Sequence, residues 1–268
     1  MAIATLDGWI AAAKQRNVWK KTTARTTVAL GWFSLFDIAG SPGAGTLAVG
    51  NTASGLVHTD ATAGYPPVDA FGGAATGYLG RCGFSSTVAC RIRLYDTIFS
   101  CGAYAFNAST ALIAQPSYLG RIPGGAAINT GGTTELWAEM VTAATLNQAV
   151  TVTYTNQAGT AARSTGAIGI GSAPTLGSCW QLSLQAGDTG VSAVTNVQGT
   201  VASAGTFNVH VLRPLAEARI IAANFSDLQD FIRVGLPVVY TDSALRCLIS
   251  ADSTSSGLPD VSFDVVNG

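Results

Sequence analysis

The sequence is short of charge. Asp, Glu, Lys and Arg make up 11% of its 268 residues, where soluble domains typically carry about 25%. Lysine is absent beyond residue 21, and there are only two histidines, His58 and His210. A net charge of −1 disfavours a dedicated nucleic-acid binder, which usually presents a broad basic face. No apolar run reaches the roughly 18–20 residues that cross a bilayer as a helix, so no membrane association is expected. The five cysteines, Cys82, Cys90, Cys101, Cys179 and Cys247, are widely spaced and form no C-x-x-C. Neither a zinc site nor a disulfide framework follows from them, although Cys82 and Cys90 are close enough in sequence to meet across a hairpin.

Catalytic signatures are missing too. There is no G-x-S-x-G elbow. The glycine string GAIGIGS at 166–172 lacks the G-K-[ST] ending of a phosphate loop, and no calcium loop is present. Glu135 and Glu139 in TELWAEM would face the same side of a strand about 13 Å apart, beyond the 5–9.5 Å of a glycosidase pair. His58 and His210 read as structural. The expectation is a non-enzyme with no catalytic residues, cofactor or metal.

What is present is a hydrophobic content of 48% and a mean hydropathy of +0.34, on a chain rich in Gly, Ala, Ser and Thr. A surface of such residues is easily desolvated, because few charges lose water when it meets a partner. This points to an obligate assembly.

The first 25 residues stand apart. Leu6, Trp9, Ile10 and Ala13 recur at helical spacing, and KQRNVWKKTTAR follows at 14–25. Lys14, Arg16, Lys20, Lys21 and Arg25 are five of the 14 basic residues and include every lysine. With Trp9 and Trp19 they read as a docking arm, residues 1–25, laid across a neighbouring subunit. Asp7 precedes the apolar patch and the cations follow it, the reverse of a secretory signal, so folding in a cytoplasm is expected.

Residues 26–268 read as a β body. TTVALGWFSLF at 26–36 is β-branched and aromatic, and residues 39–77 form a Gly/Pro-rich ordered loop region. Beyond residue 80, period-2 alternation takes over. Ile92 and Leu94 oppose Arg91, Arg93 and Tyr95. Val150, Val152 and Tyr154 share a face, as do Trp180, Leu182 and Leu184, then Phe207, Val209 and Val211, then Val261, Phe263 and Val265. NQAG at 156–159 reads as a hairpin turn. At 215–235 a strand is expected through Ala218–Ala222 and a helical turn at 226–230 capped by Ser226, with Asp227 and Asp230 in a polar turn. The predicted fold is mainly β: an antiparallel, jelly-roll-like β-sandwich with a short N-terminal helix and an extended arm.

Four segments, LDGWIAAAKQRNVWKKTTARTTV, SPGAGTLAVGNT, ATAGYPPVDAFGGAATGYL and TVTYTNQAGTAARSTG, resemble structural proteins of tailed-bacteriophage virion modules and prophages. The resemblance implies a virion component made in the host bacterial cytoplasm. The long spine helix and charged extended loop of a tailed-phage major capsid protein are not evident. A capsid decoration (cement) protein fits better: a β-rich, often trimeric body on the capsid exterior, with the major capsid protein as partner and an arm over adjacent capsomers. The alternatives are another virion part (capsid shell, neck or tail tube) and a carbohydrate-binding or hydrolytic β-sandwich with exposed aromatic rings near Glu135.

Overall fold

The computed structural model describes residues 5–71, 76–125, 133–170, 174–200 and 204–267. From the N-terminus, α1 (Leu6–Ala11) leads into β1 (Lys14–Lys21), β2 (Trp32–Ser34), β3 (Gly40–Ser41) and β4 (Asn51–Leu56). Two long strands follow, β5 (Thr76–Ser86) and β6 (Cys90–Ala105), then β7 (Ser109–Ala111) and a 3-10 turn at Leu119–Arg121. The middle of the chain supplies β8 (Glu135–Thr142), β9 (Ala149–Asn156), β10 (Arg163–Ser164), β11 (Ile168–Gly169) and β12 (Ser178–Leu182). Next come β13 (Val191–Gly199), β14 (Thr206–Ile220), β15 (Phe225–Gln229) and α2 (Phe231–Val234). The chain ends with β16 (Val238–Tyr240), β17 (Leu245–Ala251) and β18 (Pro259–Asn267).

The molecule is mainly β, and its sheets are antiparallel. At its centre, six strands close into a barrel in the order β14-β8-β12-β2-β17-β6, with β6 returning to β14. A sheet made of β15, β5, β18, β1 and β3, with β16 also on β5, covers one side of the barrel wall. A smaller sheet of β10, β9, β13 and β7, with β11 also on β9, covers another.

The alternation in the sequence explains the two main cores. Val150, Val152 and Tyr154 of β9 meet Phe207, Val209 and Val211 of the barrel wall, all fully buried. On the other side Val261, Phe263, Val265 and Trp19 meet Ile92, Leu94, Cys247 and Ile249. Each such side chain contributes about 1.5–3 kcal/mol by leaving water. Tyr95 departs from the expectation of an outward face. It is fully buried beside Trp137 and Leu248, because β6 has one face in the barrel and the other under the outer sheets.

Among its described residues the Gly/Pro-rich region carries β3, β4 and the first two residues of β5, and its Leu47 and Tyr65 pack with Phe36 against Val141 and Ala244. Glycine is required there. A Cβ on Gly45 or Gly64 would come within 2.2 or 2.6 Å of the Phe36 ring.

Three local expectations are corrected. Residues 14–21 are not a free arm, because β1 is a strand between β18 and β3. At 215–235, β14 runs to Ile220, and residues 225–229 are a strand on β5, not a helical turn. The short helix starts later, and its N-cap is Asp230, whose carboxylate accepts from the Ile232 and Arg233 amides at 3.1 and 3.0 Å. Cys82 and Cys90 sit in different sheets, and all five cysteines are free and buried. The hairpin turn after β9 is as expected, with the Asn156 side chain accepting from the Ala158 and Thr160 amides.

Candidate functional site

Every cation of the expected docking arm is engaged by its own chain. Lys14 donates to the carbonyls of Trp9, Ile10 and Ala12 at 2.8–3.2 Å, capping α1, as a cation at a helix C-terminus should. Trp9 itself packs at a tilt against Phe231, ring centroids 5.3 Å apart. Arg16 and Lys20 stand directly opposite Asp264 and Asp260 on β18 and pair with them at 3.1 and 2.9 Å. Trp19 and Lys21 are buried, and Lys21 reaches the Pro42 and Gly43 carbonyls. Burial pushes the Lys21 ammonium down to about 8. Arg25 Nη2 donates to both carboxylate oxygens of Asp37 at 2.6 Å. The basic stretch therefore fastens the N-terminus to the body, through cross-strand pairing with aspartates some 240 positions away.

The charges that sequence reasoning missed are inside. Of 14 basic and 15 acidic side chains, Lys21, Asp96, Arg121, Glu139, Arg213 and Arg246 are buried. Asp96 accepts from Arg121, from Arg213 at 3.1 Å, from Ser243 Oγ at 2.9 Å and from the Ala244 amide at 3.0 Å. A second chain joins β6, β14, β8 and β17. Arg246 donates to Glu139 Oε1 at 2.7 Å and to Ser34 Oγ at 2.7 Å. Glu139 Oε2 lies 2.8 Å from His210 Nε2, and His210 Nδ1 lies 2.6 Å from Ser100 Oγ.

Burial alone would raise the Glu139 carboxyl, but Arg246 and His210 outweigh it and hold it well below the usual carboxylate range. Burial lowers the His210 imidazole from its ordinary value, against the opposing pull of Glu139. An ionised Glu139 only accepts, so the His210 Nε2 facing it carries a proton, and in the neutral ring Nδ1 then accepts from the Ser100 hydroxyl.

A serine, a histidine and a carboxylate in this order invite comparison with a hydrolase triad. A nucleophile needs room for a reacting carbon about 3 Å away. Ser100 is 0% exposed, and it lines none of the three clefts described here. The hydrogen-bonded chain lies inside the molecule. Ser100 and Glu139 lie 110 and 71 positions from His210, so no local motif announces it. His58 is a separate, half-buried histidine, pushed down to about 3 by burial first and then by nearby charges, Arg246 and Arg121 among them.

Glu135 accepts from Tyr95 Oη at 2.9 Å and Trp137 Nε1 at 2.8 Å, and both rings are buried. The cleft beside it measures 200 Å³. Another, of 350 Å³, lies beside Arg121, Tyr240 and Asp242. Among the described residues no group of His, Cys, Asp and Glu is placed to hold a metal ion, and no helix is long and apolar enough to cross a membrane.

The third cleft, of 440 Å³, is lined by Val28, Leu30, Trp32, Ile168, Pro174 and Trp180 among others. That volume falls in the range of ligand and partner pockets. Val28 is 66% exposed and Leu30 71%. Leu30 sits at φ +65°, a left-handed backbone that costs a branched residue on the order of 1 kcal/mol. Its amide donates to Ala251 O at 2.7 Å, and its carbonyl accepts from Ser250 Oγ at 3.0 Å. The backbone is thus pinned on both sides while the side chain is held out in water.

No protein-family model matches the chain, and no curated protein sequence does. Among solved structures, that of infectious bursal disease virus, Gx strain, aligns at 7% identity and a TM-score of 0.18, covering 95% of this chain and 80% of that one. A likeness of that size carries no argument.

Proposed function

We propose that the protein is a structural virion subunit, a decoration (cement) protein that binds the outside of a tailed-phage capsid and stabilises its lattice. The observation that carries this reading is the character of the surface. A charge-poor chain buries six of its charged side chains and leaves Val28, Leu30, Ile113, Ile221, Phe225, Leu228 and Ile232 more than half exposed. Water contact at so many large apolar groups is relieved by covering them. The four sequence segments that resemble phage virion proteins support the same reading. A jelly-roll-like sandwich with a short N-terminal helix is the body expected of such a subunit. The expected partners are the major capsid protein and further copies of this chain, with a trimer favoured, and the expected location is the capsid surface.

With Lys14 to Arg25 occupied, docking falls to the exposed apolar side chains. The test is co-sedimentation of the purified protein with capsid shells lacking it, followed by cryo-EM of the decorated particle. Saturable binding at defined lattice positions is expected. Placement in the neck or tail would reassign the subunit to another virion part. Absence from the particle altogether would sink the proposal.

A further inference from the structure

The six-stranded ring is uneven. Its seams β14–β6 and β14–β8 are long ladders, whereas β12 meets β2 only at Ser178↔Phe33 and Cys179↔Trp32. The next residue that would turn its backbone groups toward β2 is Gln181, and the position opposite it in that register is Leu30. Leu30 gives its amide to Ala251 instead. The apolar cleft of 440 Å³ opens at this break.

From this we propose that the cleft and the Val28–Leu30 ridge on its rim are the contact surface for a second copy of this chain, the ridge of one copy entering the cleft of the other. Three observations select that occupant. The ridge and the cleft belong to one patch, as a symmetric contact between identical chains requires. Among the described residues no charged side chain lines the cleft, so two copies meet without like-charge repulsion, and an acidic or basic partner finds nothing to pair with. The strained, doubly anchored Leu30 is a projecting apolar side chain that the fold holds away from its own core.

Area sets the strength. Two side chains at this exposure present on the order of 200 Å² per copy, and a stable interface takes about 800 Å² from each partner. The contact must therefore extend beyond these two side chains over the lining of the cleft, and be reversible. The inference deepens the self-association expected of the proposed virion subunit. Its test needs no capsid, so failure of one leaves the other standing.

The experiment is sedimentation equilibrium of the full chain over a wide concentration range. Wild type should self-associate reversibly. Leu30→Asp should weaken association at least tenfold with an unchanged circular dichroism spectrum. Leu30→Gly suits the left-handed backbone, so it removes the side chain while preserving the fold, and it should weaken association likewise. Ile232→Asp, on α2, should leave association unchanged. A protein that stays monomeric throughout overturns the proposal. So does undiminished association of the Leu30 variants, or loss of association in Ile232→Asp alone.

Discussion

The barrel interior and the outer face of the β1–β18 ladder both carry ion pairs, and the two settings give the same chemistry different weights. Inside, Arg246 and Glu139 are 3% and 1% exposed at the side chain; His210 bonds the second Glu139 oxygen and Ser34 bonds Arg246, while Arg246 Nε is left without a hydrogen-bond partner. Outside, the Arg16 side chain is 62% exposed over Asp264. Water already solvates the outer pair, so its removal changes little. The inner pair has surrendered its water and depends on its partners for compensation. The comparison shows why a chain so poor in charge keeps several of its charges where they cannot be seen. There they join β2, β6, β8, β14 and β17 by hydrogen bonds across the lumen.

The largest effect tests whether the N-terminal strand belongs to the body. Deleting residues 1–21 removes β1, strips Trp19 from the core and leaves β18 unpaired on one side. Loss of cooperative unfolding and of soluble expression is expected. Trp19→Ala alone should cost about 3–5 kcal/mol in urea unfolding. A truncated chain that folds normally would restore the separable arm.

Glu139→Ala should rival that single substitution. It leaves Arg246 buried and unpaired, for a loss of about 3–5 kcal/mol. Replacing both partners, as Glu139→Leu with Arg246→Met, should recover much of the loss. If the single and double variants are equally unstable, the pair is not the unit that matters.

Proton linkage should be smaller and all of one sign. His58 and His210 sit below the ordinary 6.5 in the fold. Below that pH the unfolded chain takes up protons that the folded chain refuses, and stability declines as pH falls. Glu139, held below its ordinary 4.5, adds stability above that value that is lost on further acidification. The urea midpoint should therefore drop steadily from pH 6.5 downward, and His58→Gln should flatten the upper part of that slope. A midpoint constant from pH 7 to pH 4 would contradict this account.

The smallest effect lies on the outer face. Arg16→Gln should shift stability by no more than about 1 kcal/mol, and added salt should shrink even that. A loss comparable with Glu139→Ala would erase the contrast between the two settings.

Local alternation made the strands legible. The faces Val150–Val152–Tyr154, Phe207–Val209–Val211 and Val261–Phe263–Val265 are buried as their spacing predicts. Alternation is silent about what covers a strand's second face, so Tyr95 was placed outward although β6 is covered on both sides. It is equally silent about strand order, and closure of the ring through β14 and β6 had no local signal. The basic stretch at 14–25 looked unpartnered because its partners, Asp260 and Asp264, lie at the other end of the chain. Serine, histidine and carboxylate positions scattered over β6, β8 and β14 gave no spacing to notice. At 225–229, pairing with β5 overrode a sequence that offers Ser226 as a cap, and Asp230, four residues later, took the capping role.

The short seam between β2 and β12 has a consequence for amide exchange. A closed ring has no end from which to fray, so amides on β6, β8 and β14 should exchange with solvent deuterium only when the whole molecule opens. With two paired positions at its weakest join, the ring can part there first, and the amides of β2 and β12 should exchange by that lesser opening. Protection at Trp32, Phe33 and Cys179 is then a local gauge of the clasp. It should rise with protein concentration if a neighbour settles over the seam.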